Sequence, residues 1–213
     1  MRSRLTSQFR TITPVILIAY LVTFLSLLIV IVISTAEDIA LDTLTKDATE
    51  TLNAPFYIGA FSNLGIMLWS GAAILCIFTA FQIKGLSFYK EDFQFLIISA
   101  LLTIMLTLDD LFLVHEEVFP KYFNIPENAI ILTYINLFII FLILFRRKIL
   151  SGEFLILGLA FFFIGMAKIS DLLPLPIKKD TFLEDAIKLF GIVSWFIYYY
   201  RFNRKLLSDL NHP

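Results

Sequence analysis

The sequence predicts an all-α integral membrane protein, a six-span transmembrane helix bundle with both termini cytoplasmic. Three observations predict it: an apolar composition, six long apolar runs, and basic residues that alternate between loops. Of the 213 residues, 59% are hydrophobic and 16% charged, and 23 are Phe. A soluble domain is typically about 45–50% apolar and about 25% charged. The net charge of −1 carries no basic block that would suit a nucleic acid. The single cysteine, Cys76, excludes an intrachain disulfide and sits in an apolar run, as a small core- or lipid-facing residue does.

The apolar runs lie at 14–34, 58–83, 93–115, 129–145, 154–174 and 183–202, and a helix of about 20 residues crosses a hydrocarbon core of about 30 Å. The chain 1–213 therefore reads as one transmembrane domain. The first run has a basic start (Arg2, Arg4, Arg10), and Ser34-Thr35-Ala36 has the look of a cleavage site. Its apolar length exceeds the roughly 7–15 residues of a signal peptide, so a retained helix is expected. The next loop, 35–57, is acidic: Glu37, Asp38, Asp42, Asp47 and Glu50 face only Lys46. It reads either as a short surface helix with Ile39, Leu41, Leu44 and Ala48 along one side, or as a solvated loop that extends the first helix. The remaining loops are short, which makes consecutive helices antiparallel neighbours.

Orientation follows from the loops. One side receives Arg2, Arg4, Arg10, Lys84, Lys90, Arg146, Arg147, Lys148, Arg201, Arg204 and Lys205. The other receives Lys46, Lys121, Lys178 and Lys179, eleven cations against four. The side rich in Lys and Arg is cytoplasmic, and the plasma (inner) membrane is the expected location. Trp195, Tyr198, Tyr199 and Tyr200 precede Arg201 and read as an aromatic belt at the inner interface.

Asp109, Asp110, His115, Glu116 and Glu117 close the third run. A charged residue at the centre of a membrane span costs about 2.5–3.5 kcal/mol, so such residues usually face a protein interior and carry function. With the orientation above, Lys168 and Asp171 on the fifth span and Glu184, Asp185 and Lys188 on the sixth reach a similar depth in the outer half. Ser62, Asn63, Thr133, Tyr134 and Asn136 lie at comparable depths, and the inner halves offer nothing equivalent. At about 100° per residue, Asp109 aligns with Glu116 and Asp110 with Glu117, which gives two acidic rows. His115 points away from both unless the helix ends there.

Three chemistries suit this cluster. Ion pairs such as Lys168–Asp171 and Asp185–Lys188, with a capping box over Thr181 to Glu184, would tie the outer helix ends together. A divalent metal (Zn, Mn, Mg, Ca or Fe) would suit Asp109, Asp110, His115, Glu116, Asp171 and Asp185 as ligands. It would activate water against a lipid or lipid-linked substrate, with Asp110 and His115 as acid–base groups and Lys188 stabilising the developing anion. Proton or ion handling is the third, although no polar ladder is expected to continue inward. Asp109-Asp110 does not extend to the Asp-Asp-x-x-Asp motif of membrane prenyltransferases, since position 113 is Leu. The histidine-built zinc site of the alkaline-ceramidase type is absent too, because only His115 lies near a span. The leading expectation is a metal-dependent, hydrolase-like membrane enzyme acting on a lipid in the bilayer. The alternative is a non-enzymatic transporter component or assembly factor in which the cluster is an ion-pair lock or an ion or proton site.

Overall fold

An apolar segment can satisfy its backbone in lipid as a helix, without partners from elsewhere in the chain. The computed structural model describes residues 2–46, 48–55, 57–172 and 181–211. The side chains of 2–12, 15, 16, 19, 22, 50, 170–172, 181–183 and 211 fall outside that description. The described residues form helices and turns and no strand.

The chain divides into two compact units, Met1–Ile58 and Gly59–Pro213. In the first, α1 (Arg2–Glu37) passes through Pro14 and ends three residues beyond the expected span. Its end is closed by the backbone: Ile39 N–H donates to the Ser34 carbonyl at 3.1 Å, and the Ser34 hydroxyl donates to the Ile39 carbonyl at 2.7 Å. The acidic segment then forms two single-turn helices, α2 (Leu41–Thr45) and α3 (Ala48–Thr51), rather than one continuous surface helix. Lys46 breaks them apart by turning extended, with φ −78° and ψ 159°.

The second unit begins with α4 (Ala60–Ile83). A turn at Gly85, whose φ of +88° favours glycine, leads through a 3₁₀ turn (Ser87–Tyr89) into α5 (Lys90–Phe112). A π turn (Val114–Val118) and α6 (Phe119–Phe123) follow. Then come α7 (Glu127–Leu144), α8 (Arg146–Leu150), α9 (Phe154–Leu172) and α10 (Thr181–Asn211). Among the described residues, three stretches are long and apolar enough to cross a membrane: Ala60–Ile83, Ser87–Phe112 and Glu127–Leu144. Thr23–Glu37 and Phe154–Ile169 are shorter apolar helices. The expected span ends at 173–174 lie outside the described residues.

Helix α10 packs against α4 and α9, and α4 also packs against α5. Small residues allow the closest approach. A Cβ on Gly191 would sit 2.6 Å from Ile164 Cγ1 and 3.1 Å from the Ala160 carbonyl oxygen, so α9 and α10 meet nearly backbone to backbone. Trp195 fills the centre, edge-on to Trp69, Phe138 and Phe161 at centroid distances of 5.3, 5.9 and 5.5 Å. Its indole N–H donates to Thr103 Oγ1 at 3.1 Å.

This packing corrects one expectation. Trp195, Tyr198 and Tyr199 are core residues and not an interfacial belt, being at most 1% exposed. With Phe202 they follow the i, i+3, i+4, i+7 pattern of a buried helix face, and Tyr200 alone of the three tyrosines is exposed. Away from the charged cluster the bundle also buries uncharged polar groups. Thr79, Ser99, Tyr198, Tyr199 and Asn203 are all buried. The Thr79, Ser99, Tyr198 and Tyr199 hydroxyls and the Asn203 side-chain carbonyl lack a hydrogen-bond partner among the described residues. Asn203 Nδ2 does donate to the Tyr199 carbonyl at 2.7 Å.

Candidate functional site

The charged site is built on a break in α5. Leu113 adopts the left-handed conformation, with φ 51° and ψ 45°, and ends the helix one turn past Asp109. For a bulky L-residue this costs about 1–2 kcal/mol, so the surroundings must hold it. Asp109 does: its Oδ1 accepts the His115 backbone N–H at 3.0 Å. Its Oδ2 accepts His115 Nδ1–H at 2.6 Å, and Tyr134 on α7 donates its hydroxyl to Oδ1 at 3.1 Å. Asp109 is only 7% exposed, and its carboxylate accepts these three hydrogen bonds. Had α5 stayed regular, His115 would face away from Asp109; ending the helix brings the ring back.

The other imidazole nitrogen, Nε2, looks toward two carboxylates, Glu116 at 3.5 Å and Glu127 at 3.9 Å. Glu127, at the start of α7, in turn accepts from Lys168 of α9 at 2.9 Å. Acidic and basic side chains therefore alternate from Asp109 to His115 to Glu127 to Lys168.

Asp110 lies about 100° further round α5 and belongs to a second group. It accepts the Trp69 indole N–H from α4 at 3.3 Å and pairs with the Lys188 ammonium of α10. Asp185, Asp110, Lys188 and Ser62 border one cavity of about 40 Å³, space for a water or two. The Asp185 carboxylate makes no ion pair to Lys188, which goes to Asp110 instead. The acidic rows on α5 thus serve different neighbours, one α7 and one α4 with α10.

Of the residues expected to act together, Asp109, His115 and Glu116 meet, and Asp110 meets Lys188 with Asp185 at the same cavity. The side chains of Asp171 and Thr181 lie outside the described residues, and with them the Lys168–Asp171 pair and the capping box. Among the described residues no three His, Cys, Asp or Glu groups converge closely enough to hold a metal ion. Glu127 went unread in the sequence, though a carboxylate at the first position of an apolar helix, directly after Pro126, is a legible signal. Trp69 lies near the middle of α4, and its reach to Asp110 depends on the crossing of α4 and α5.

The family model described as Domain of unknown function (DUF8692) matches residues 15–202. The chain belongs to that family. The match takes in every residue of the DUF8692 chain's charged layer, from Trp69 to Lys188, and stops before Arg204 and Lys205. No curated protein and no solved structure matches the chain.

Proposed function

We propose that this is a six-span membrane protein with cytoplasmic termini, non-enzymatic in kind, whose outer charged layer is an ion-pair lock within a transporter component or assembly factor. The excess of basic residues on one set of loops supports the orientation, and the apolar helices support the spans. One observation carries the lock: Asp110, the carboxylate expected to do acid–base chemistry, is occupied by Lys188 and Trp69 from two other helices. Parting the pair in an apolar medium exposes two uncompensated charges, so the outer ends of α4, α5 and α10 stay together until something replaces the partners.

The test is a double-mutant cycle in detergent, with Asp110→Asn, Lys188→Gln and both together. Each single change should lower stability by about 2 kcal/mol, less than for a fully buried pair because Lys188 is 40% exposed. The double change should cost no more than either single one. Additive losses would sink the lock.

A metal-dependent lipid hydrolase is the second reading, and one contact favours it. His115 Nδ1 is held by Asp109 while Nε2 is presented to Glu116 and Glu127, which is how carboxylates orient a metal-binding imidazole. Elemental analysis of the purified wild type beside His115→Ala decides between the readings. About one equivalent of metal, lost in the variant, would favour the hydrolase; equal metal content in both would favour the lock.

A further inference from the structure

The opposite end of the same bundle holds a cavity of about 810 Å³, walled by α5, the α8–α9 turn and the last turns of α10. Asp92 and Asp110 stand eighteen residues apart on α5, and Lys188 and Arg204 sixteen apart on α10, which is roughly 24–27 Å at 1.5 Å per residue. The two ends are therefore separated by nearly the thickness of a hydrocarbon core, about 30 Å.

Four cations border the cavity: Lys148, Arg201, Arg204 and Lys205. Two are engaged within the protein. Lys148 pairs with Asp92 at 2.6 Å, and Arg201 makes a two-pronged pair with Glu153. Arg204 and Lys205 are exposed and make no ion pair or hydrogen bond among the described residues. Asp209 is the one further acidic residue in the wall. Tyr198 also contributes to the wall; it is 1% exposed, and its hydroxyl is buried without a partner among the described residues. Arg204 and Lys205 offer guanidinium and ammonium donors at the cavity, and phosphate oxygens accept several charge-assisted hydrogen bonds at once. A cavity of this volume is within the usual range for a small ligand.

We propose that this cavity binds a phosphate ester, the headgroup of an anionic lipid or its soluble counterpart, through Arg204 and Lys205 with Lys148, Arg201 and Tyr198 around it. Basic pockets between helices at the cytoplasmic surface recognise phosphorylated headgroups in this way. The site is independent of the outer layer, so its failure would leave the lock standing, and the reverse.

The experiment titrates the full-length protein in neutral detergent and follows its melting temperature. The probes are dioctanoyl phosphatidic acid, glycerol 3-phosphate and, as the zwitterionic control, dioctanoyl phosphatidylcholine. Saturable stabilisation by phosphatidic acid alone assigns the site to a membrane lipid. Stabilisation by glycerol 3-phosphate as well assigns it to the phosphate ester irrespective of the chains. In either case Arg204→Gln/Lys205→Gln should weaken binding about tenfold or more, while Arg146→Gln/Arg147→Gln, exposed cations outside the cavity, should not. The exposed pair that carries the test is free of internal ion pairs, so the double variant is expected to fold. The proposal is overturned if neither phosphate probe stabilises the protein, if phosphatidylcholine does so equally, or if the double variant binds as the wild type does.

Discussion

The two ends of α5 and α10 solve the problem of charge in opposite ways. At one end Asp110 meets Lys188, and Glu127 meets Lys168, each pair joining different helices. At the other end Lys148 and Arg201 are matched to Asp92 and Glu153, while Arg204 and Lys205 make no ion pair among the described residues. Matched charge between helices resists their separation; surplus charge at the rim of a cavity invites an external anion. The difference teaches that similar residue types, placed at the two ends of one helix pair, favour a closed joint at one and an open site at the other.

The largest effect expected is at Asp109. Asp109→Ala removes an acceptor shared by the His115 backbone, the His115 ring and Tyr134, and so strands three donors. A loss of about 3 kcal/mol is expected in chemical unfolding in detergent, since each stranded group costs about 1–3 kcal/mol and water recovers part of it. Asp92→Ala at the other end strands only Lys148, which is 24% exposed, and should cost about 1 kcal/mol. Equal losses at both sites would abolish the contrast between a locked end and an open one.

Between the ends, the helices are held by close packing rather than charge. Gly191→Ala forces a methyl group against Ile164 and the Ala160 carbonyl, and overpacking of that kind costs about 1–3 kcal/mol. Gly158→Ala on α9 meets open space and should be neutral or gain up to about 1 kcal/mol from helix propensity. If the two alanines behave alike in thermal melts, the α9–α10 crossing is looser than described.

A smaller effect separates the exposed pair of the cavity from the half-buried Asp110–Lys188 pair. The Arg201 guanidinium beside Glu153 holds its carboxyl below the usual carboxylate range. A lowered carboxylate contributes stability above its unfolded value, about 4.3, and loses it as pH falls through the folded one. The melting temperature should therefore fall more steeply between about pH 5 and 3 in the wild type than in Arg201→Gln. The difference should be slight because both partners are solvated. An identical slope would show the pair to be without thermodynamic weight.

How much of this was legible in the sequence depends on range. The apolar runs that became α4, α5 and α7 were readable from length and composition, because a helix in lipid needs only its own backbone. The depth shared by Asp109, Asp110, Lys168 and Lys188 followed from counting residues along helices. The pairing did not: two acidic rows and two lysines admit several matches, and the crossing of α5 with α10 chose Asp110 with Lys188. The break at Leu113 was hidden because leucine has no preference for the left-handed region; Asp109, four residues earlier, captures the chain. Trp195, Tyr198 and Tyr199 were misplaced by their nearness to Arg201, although their spacing with Phe202 already described a core face.

The smallest effect tests the middle of the bundle, which neither end explains. Ser99 is fully buried, and its hydroxyl has no partner among the described residues. The Tyr199 hydroxyl, near it on α10, is in the same position. An orphaned hydroxyl in an apolar interior is already a cost, so removing it should be neutral or stabilising by up to about 1 kcal/mol. Ser99→Ala is thus expected to leave the melting temperature unchanged or raise it. A fall corresponding to about 1 kcal/mol or more would mean that the hydroxyl has a partner after all, Tyr199 directly or through a shared buried water. The two ends would then be joined by a hydrated polar seam through α4, α5 and α10, and the contrast between a sealed end and an open end would have to give way to a continuous polar path.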